Sequence, residues 1–215
     1  MTGNDWVTDN RIRTSTPFAH APAERAYPPS VSTRPSKPAA PAATPPTDPS
    51  RVRLLVLDVD GCLTDGSISI DHRGDETKRF NIKDGLGIVV WQRLGLHTAI
   101  ITGRTSKALE TRCRELGIDR LHQGIADKWA TLRSILDELG IAPDETAAIG
   151  DDWNDLPVLT RIGMPMCPAD AVDEVRATCS YVCDRPGGHG AVREAIDWLI
   201  ESMGLTERAL SFYRS

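Results

Sequence analysis

From residue 51 onward, short apolar runs alternate with longer amphipathic segments. The apolar runs are rich in β-branched residues and are of strand length, whereas the segments between them have helical periodicity. Five runs are RVRLLVLD (51–58), HTAIIT (97–102), RLHQG (120–124), TAAIG (146–150) and MPMC (164–167). Such alternation is typical of βαβ units, which place parallel strands in one sheet with helices on its faces. The sequence therefore predicts an α/β fold with a three-layer, Rossmann-like parallel sheet.

The segments between the runs predict five helices. Their expected ranges are 85–94, 105–116, 127–139, 153–161 and 190–203. We expect Thr105 to cap the second helix and Gly117 to end it, because glycine readily adopts the left-handed conformation found after helices. The stretch 66–82 breaks the alternation, since it has a period of two on either side of HRGD. It predicts a small β-hairpin inserted after the first strand, with no cap domain.

Composition sets the expected domain boundaries. Ten of the 15 prolines lie in residues 1–50, which predicts a disordered tail, followed by one domain at 51–203 and a C-terminal tail at 204–215.

The net charge of −5 argues against a nucleic-acid partner. Without an apolar run long enough for a signal peptide or a membrane span, the protein is expected to be cytoplasmic, with no membrane partner. The five scattered cysteines are expected to be reduced and mostly buried.

Polar residues follow the apolar runs where the strands should end, which is where ligands bind in open α/β sheets. They are Asp58 and Asp60 after the first run, Thr102, Gly103 and Arg104 after the second, Lys128 at the start of the helix after the third, and Asp151, Asp152 and Asp155 after the fourth. Taken singly, each of these has an ordinary structural explanation as a turn, a helix cap or a solvated surface residue. Their conjunction at successive strand ends is far more specific, and it predicts one site.

Several carboxylates in one place repel each other, and a divalent cation holds them ionised. Ligands that are all oxygen favour Mg²⁺, and Lys128 with Thr102 could bind the oxygens of a phosphate. The pattern therefore indicates phosphoryl transfer. A carboxylate nucleophile must expel an alkoxide, so a nearby proton donor helps, and the same group can later activate water. We assign the role of nucleophile to Asp58, and the role of proton donor and later base to Asp60.

With these motifs, the chain from about residue 51 to 203 resembles the haloacid dehalogenase superfamily of phosphohydrolases. The resemblance implies that Asp58 becomes the aspartyl phosphate and that Asp60 is the acid and base. It also implies that the transferring phosphoryl group is bound by Thr102 and Lys128. The implied Mg²⁺ ligands are the Asp58 carboxylate, the Asp60 backbone carbonyl and Asp151, with Asp152 or Asp155 in support.

Four longer stretches narrow the resemblance to a cap-less branch, the phosphatases of 3-deoxy-D-manno-octulosonate 8-phosphate. They are DGSISIDHRGDETKRFNIKDGLGI, ITGRTSKALETRC, GDDWNDLPV and RPGGHGAVREAIDWL. This resemblance implies a role in lipopolysaccharide precursor synthesis. It also implies a homotetramer whose hairpins form a central barrel and in which one subunit covers its neighbour's site. The glycine-rich segment 187–190 is interpreted as a lid over a site or as a loose loop before the last helix, with neither favoured.

Several basic residues could meet the substrate's carboxylate, with Arg104 and Lys78 preferred. The other candidates are Arg79, Arg112, Arg185 and Arg193. Cys62 stands where the family has an aliphatic residue, and we expect it to be an inert, buried small side chain.

Three alternatives remain open. The first is a signalling receiver module, although an Asp60 beside Asp58 favours hydrolysis over stored phosphorylation. The second is a non-catalytic oligomerisation domain, which the intact set of motif residues disfavours. The third is a phosphatase for a related nine-carbon, sialic-acid-type 9-phosphate, which the motifs do not distinguish.

Overall fold

A computed structural model describes residues 48–214, so nearly all of the expected tail at 1–50 lies outside the described residues. In chain order the elements are β1 (Leu54–Leu57), β2 (Ser69–Ile70), β3 (Glu76–Thr77), α1 (Ile82–Arg93), β4 (His97–Ile101), α2 (Lys107–Leu116), β5 (Arg120–His122), α3 (Lys128–Leu139), β6 (Thr146–Ile149), α4 (Leu156–Leu159), β7 (Met164–Cys167), α5 (Asp173–Thr178), β8 (Tyr181–Val182), α6 (Ala191–Ser202) and α7 (Thr206–Ser211). Short 3-10 turns occupy Pro49–Arg51, Pro143–Glu145 and Trp153–Asp155.

The main sheet has six parallel strands in the order β5-β4-β1-β6-β7-β8. The first strand lies in its middle, with Leu54 in register with His97 on one side and Thr146 on the other. All four residues of β1 are buried, as expected for a parallel strand covered on both faces. The predicted α/β fold class is confirmed.

Helices cover both faces of the sheet and enclose two apolar cores. One core joins α1, α2 and α6 to one face through residues such as Trp91, Leu109 and Ile196. The other joins α3 and α4 to the opposite face through residues such as Leu132 and Val158. Alternate residues of β1 contribute to the two cores, because successive side chains of a strand point to opposite faces. This three-layer packing holds the carboxyl end of β1 in a fixed position.

The predicted strands all form, whereas the sequence analysis missed the short elements α5 and β8. Thr105 was a wrong assignment for the cap of α2, because the residue before that helix is Ser106, whose backbone N–H is satisfied by Gln123 Oε1 at 2.8 Å. Gly117 does end α2, with φ +66°. The predicted helix at 153–161 is a 3-10 turn followed by the short α4.

The C-terminal residues 204–215 were expected to form a tail, but they contain α7. Ala209 is buried in the core beside α6, and the Arg93 guanidinium lies 4.4 Å from the centre of the Phe212 ring. Apolar packing therefore extends the domain beyond residue 203. The sequence analysis missed this helix because its apolar positions are few and widely spaced.

The predicted hairpin at 66–82 forms as β2 paired antiparallel with β3, with Ser69 opposite Thr77. Its turn is fixed by the Asp71 carboxylate, which accepts hydrogen bonds from the backbone N–H groups of Arg73 and Asp75. All five cysteines are free, and four of them are buried, as predicted. Between residues 48 and 214 we find no helix with the length and apolar character needed to cross a bilayer.

Candidate active site

The predicted site residues meet at the carboxyl ends of β1, β4 and β6, where the order of the strands reverses. Asp58 directly follows β1, and its backbone N–H donates to the Ile149 carbonyl at 3.0 Å. Thr102 directly follows β4, Asp151 lies just beyond β6, and Lys128 is the first residue of α3. Such a reversal leaves a crevice that binds ligands in open α/β sheets.

Lys128 lies between two carboxylates in the floor of this crevice. Its ammonium donates to Asp58 Oδ1 and to Asp155 Oδ1, each at 2.7 Å, and all three side chains are buried. Burial works to lower the pKa of Lys128, but the charges and hydrogen bonds of the two carboxylates raise it, so the side chain is a cation. Burial, followed by the charge of Asp155, raises the pKa of Asp58 to about 6. One buried cation thus faces two buried acids.

A further carboxylate, Asp151, adds to this excess of acid. Burial, and then the charges of the neighbouring carboxylates, raise the pKa of Asp151 to about 8. Oxygens of Asp58 and Asp151 and the sulfur of Cys62 lie within 4.8 Å of one another. Gly61, at φ +93°, leaves room for Asp151, because a Cβ there would lie 2.1 Å from Asp151 Oδ2. A divalent cation would hold both carboxylates ionised, so these residues fit Mg²⁺.

The two other acidic residues of this loop have different surroundings. Asp155 Oδ2 accepts hydrogen bonds from the backbone N–H groups of Asp151 at 3.0 Å and Asp152 at 3.4 Å. Because its other oxygen is bonded to Lys128, Asp155 fixes the turn and the lysine together. Asp152 is exposed, and its carboxylate caps the following turn by accepting from Trp153 N at 2.7 Å. Of these two residues, Asp155 is the one whose side chain contacts Lys128 and the backbone of Asp151.

Asp60 lies on the side of the crevice that faces the hairpin. Its carboxylate forms a short hydrogen-bonded ion pair with Lys78, whose side chain is only 4% exposed. The Arg104 Nε atom lies 3.8 Å from the other Asp60 oxygen. Glu76 bridges the two cations, since it pairs with Lys78 at 3.0 Å and also bonds to Arg104. The two preferred cations, Lys78 and Arg104, are therefore brought to Asp60, two residues after Asp58.

Thr102 and Gly103 form the loop after β4. Thr102 is buried, and its hydroxyl accepts a hydrogen bond from Arg104 N at 3.5 Å. Gly103 is exposed, and the nearest atom to a Cβ placed there would be the Ile125 carbonyl oxygen, at 3.7 Å. Because β4 pairs with β1, this loop begins beside the point where β1 ends.

The remaining basic candidates are paired with acidic residues of their own surroundings. These pairs are Arg79 with Asp65, Arg112 with Glu115, Arg185 with Glu194, and Arg193 with Asp197. Only Asp65 among these partners belongs to the loop that follows β1. Of the six candidates, Lys78 and Arg104 are the two that pair with Asp60 among the described residues.

The glycine-rich segment 187–190 packs against the loop that follows Asp58 in its own chain. Gly188 N donates to the Cys62 carbonyl at 2.9 Å. A Cβ at Gly187 would lie 1.8 Å from the Gly61 carbonyl oxygen, so only glycine permits this approach. This contact shows that the segment is not a loose loop and that it supports the backbone between Asp60 and Leu63.

The comparisons with known proteins agree with this geometry. A family model described as haloacid dehalogenase-like hydrolase matches residues 121–196. The chain is 42% identical over 163 residues to the 3-deoxy-D-manno-octulosonate 8-phosphate phosphatase of Salmonella typhi, an alignment that covers 76% of this chain and 87% of that protein. The chain belongs to this phosphatase family. The predicted family is thereby confirmed.

Solved structures of this phosphatase family have the same fold. That of the Moraxella catarrhalis protein, in complex with a magnesium ion, a phosphate ion and a KDO molecule, has a TM-score of 0.75 and 34% identity, covering 78% of this chain and 96% of that chain. The cobalt-bound form of the Haemophilus influenzae protein has a TM-score of 0.71 and 33% identity, covering 73% of this chain and 92% of that chain.

From the sequence, one residue beside Asp60 was missed, and the orientation of another could not be seen. Glu76 was not selected, although Glu76 and Lys78 are two residues apart and therefore share one face of the hairpin strand. Applying that periodicity to the residues after HRGD would have found it. Cys62 was expected to be inert because the residue type is usually buried for packing, and the sequence carries no signal that its sulfur faces Asp151.

Proposed function

We propose that this protein is a Mg²⁺-dependent phosphatase that hydrolyses 3-deoxy-D-manno-octulosonate 8-phosphate to the free sugar acid and phosphate. The observation that carries the proposal is the placement of two acids with different partners on one loop. Asp58 is held by the buried Lys128, whereas Asp60 faces Lys78 and Arg104 of the hairpin side. Membership in the phosphatase family supplies the substrate class.

In the proposed reaction, Asp58 attacks the phosphorus atom and forms an aspartyl phosphate. Lys128 is bonded to Asp58 Oδ1, which fixes the carboxylate and leaves Oδ2 as the attacking oxygen. The Lys128 charge and the Thr102 hydroxyl would stabilise the phosphoryl oxygens as negative charge moves onto them. Phosphoryl transfer requires that the reacting groups be held in position and that positive charge lie near the phosphoryl oxygens. This arrangement would supply both.

Asp60 would donate a proton to the leaving oxygen of the sugar and then accept one from the attacking water. Because Asp60 is two residues from Asp58, with Val59 buried between them, the same loop delivers both acids. Mg²⁺, held by the Asp58 carboxylate, Asp151 and the Asp60 backbone carbonyl, would neutralise charge on the phosphate and orient it. The last of these ligands remains a prediction from the family resemblance.

We assign recognition of the sugar's carboxylate first to Arg104. Its side chain is 45% exposed, whereas that of Lys78 is 4% exposed and already lies between two carboxylates. Arg104 can therefore form a charge-assisted, two-pronged contact with an incoming carboxylate while Lys78 holds Asp60 in place. The backbone of Gly103, on the same loop, would border the bound substrate.

We also propose the homotetramer, with one subunit covering its neighbour's site. The hairpin exposes Ile68 and Ile70 at 53% and 64%, and no other part of residues 48–214 covers them. Cytoplasmic location and a role in lipopolysaccharide precursor synthesis follow from the proposed substrate and remain proposals, as does the domain boundary at 51.

The test is phosphate release from a panel of phosphorylated sugar acids, with wild type, Asp58→Asn and the control Asp137→Asn, an exposed position on α3. We expect the eight-carbon substrate to be best, EDTA to abolish turnover, and only Asp58→Asn to be inactive. If a nine-carbon substrate were hydrolysed tenfold faster, a difference of about 1.4 kcal/mol, the proposed substrate would be wrong. The proposed mechanism would still stand. Wild-type rates for Asp58→Asn would overturn the mechanism itself.

A further inference from the structure

The thiol of Cys62 lies inside the cation site. Cys62 is fully buried, and its Sγ atom points at Asp151 Oδ1 from 3.8 Å. Together with Asp58, these two residues bring two carboxylate oxygens and one sulfur within 4.8 Å of one another. A cysteine that served only for packing would not need to face Asp58 and Asp151. The negative charge of these acids already exceeds the positive charge of Lys128.

The distance between sulfur and oxygen suits a shared ion. Zinc lies about 2.3 Å from thiolate sulfur and about 2.1 Å from carboxylate oxygen. With these bond lengths, the 3.8 Å between Cys62 Sγ and Asp151 Oδ1 corresponds to an angle of about 120° at one ion. Because that angle is close to tetrahedral, little movement of either side chain is needed.

Two other buried cysteines have different surroundings. The Cys183 thiol donates to the Ala191 carbonyl at 3.4 Å. Cys113 belongs to the apolar core beneath α2. Of these three buried thiols, Cys62 alone joins a group of candidate metal ligands within residues 48–214. The comparison makes Cys113 a matched control for the removal of a buried sulfur.

We propose that Cys62 is a third protein ligand for thiophilic divalent cations, Zn²⁺, Cd²⁺ and Co²⁺, which bind with Asp58 and Asp151 and exclude Mg²⁺. Soft thiolate favours these ions, whereas Mg²⁺ binds through oxygen and gains little from sulfur. On binding, the sulfur–hydrogen bond breaks as the sulfur–metal bond forms, and the proton passes to the solvent. The inference rests on the cation site of the proposed function but not on the reaction.

The experiment is a Co²⁺ titration of the metal-free full chain, followed by absorption spectroscopy, for wild type, Cys62→Ser and Cys113→Ser. We expect a sulfur-to-cobalt charge-transfer band in wild type and in Cys113→Ser, and its loss in Cys62→Ser. We also expect Zn²⁺ affinity, measured by competition, to fall by about tenfold or more in Cys62→Ser alone, while Mg²⁺ affinity changes by less than about threefold. Identical cobalt spectra in all three proteins would overturn the proposal.

A second measurement needs no variant and can therefore overturn the proposal even if Cys62→Ser does not fold. The ¹¹³Cd NMR resonance of the wild-type complex should show the downfield shift of a cadmium ion with a sulfur ligand. A resonance in the range of oxygen-only sites would overturn the proposal. Neither readout depends on turnover, so a protein that hydrolyses none of the substrates but loses the cobalt–sulfur band in Cys62→Ser alone would overturn the proposed function and support the role of Cys62.

Discussion

The Lys128 ammonium lies 2.7 Å from the Asp58 carboxylate, with both side chains almost fully buried. Taking either charge out of water costs several kcal/mol, and their attraction offsets this only while both partners remain. Asp155, also at 2.7 Å from Lys128, extends the pair to three charges of which two are negative. Asp58 is thus held in an arrangement in which negative charge exceeds positive charge, and a further cation would offset the excess.

Lys128→Met should remove both activity and stability. The change leaves two buried carboxylates without their partner, so we expect the free energy of unfolding in EDTA to fall by about 3–5 kcal/mol. Loss of the cation from the transferring phosphoryl group should lower kcat by at least about 10²-fold. Urea unfolding and steady-state kinetics measure these effects. Lys107→Met, an exposed lysine at the start of α2, should match wild type in both, and equal losses at the two positions would contradict the assignment.

Asp155→Asn and Asp152→Asn form a matched pair on one turn. Asp155 binds Lys128 and two backbone N–H groups, whereas Asp152 caps an exposed turn. Because an outer carboxylate that orients metal ligands is worth about 10–100-fold in metal affinity, we expect Asp155→Asn to weaken Mg²⁺ binding by that factor. Asp152→Asn should stay within about threefold of wild type. Calorimetric titration with Mg²⁺ measures the affinity of each variant. If Asp152→Asn weakened Mg²⁺ binding more than Asp155→Asn did, Asp152 would be the supporting residue.

The sheet and most of the site could be predicted because they depend on local patterns. Apolar runs give the strands, and polar residues at strand ends meet wherever parallel strands lie side by side. The position of Asp58 near Asp151 follows from this rule, because β1 and β6 are neighbours. Short elements such as α7 could not be predicted, since their formation depends on packing against a core that already exists.

The direction in which a loop side chain points was the second feature that could not be predicted from the sequence. The sequence shows that Cys62 is close to two acids along the chain, but it does not show whether its sulfur faces the site or the core. The contact of Gly187 with Gly61 is likewise a tertiary feature, because the two residues are far apart in sequence and neither belongs to a periodic element. Both cases involve loops, where no periodicity fixes the orientation of a residue.

Gly187→Ala should displace the nucleophile loop. Its new Cβ would lie 1.8 Å from the Gly61 carbonyl oxygen, a backbone atom that cannot swing away. We expect kcat to fall by about 10²-fold, since small misplacements of reacting groups cost that much. Gly140→Ala is the control, because it has strain at φ +60° but no atom within 4 Å of its Cβ. That variant should lose about 1 kcal/mol of stability and keep its activity, and an active Gly187→Ala would show that the contact does not position the loop.

The stability of the metal-free protein should fall as the pH rises. Burial first, and then neighbouring carboxylates, raise the pKa of Asp151 from 3.8 to about 8, and burial raises that of Asp58 to about 6. Since the folded state then binds more protons than the unfolded chain between about pH 4 and pH 8, the free energy of unfolding decreases across that interval. Mg²⁺ should reverse the trend by stabilising the ionised carboxylates, so the gain in Tm on adding Mg²⁺ should grow with pH.

Asp151→Asn should flatten the dependence of Tm on pH in the metal-free protein and reduce the gain in Tm on adding Mg²⁺. Thermal unfolding from pH 5 to pH 8.5, with EDTA or with saturating Mg²⁺, measures both, and a metal-free Tm that rises through neutral pH would show that these acids are ionised without a cation.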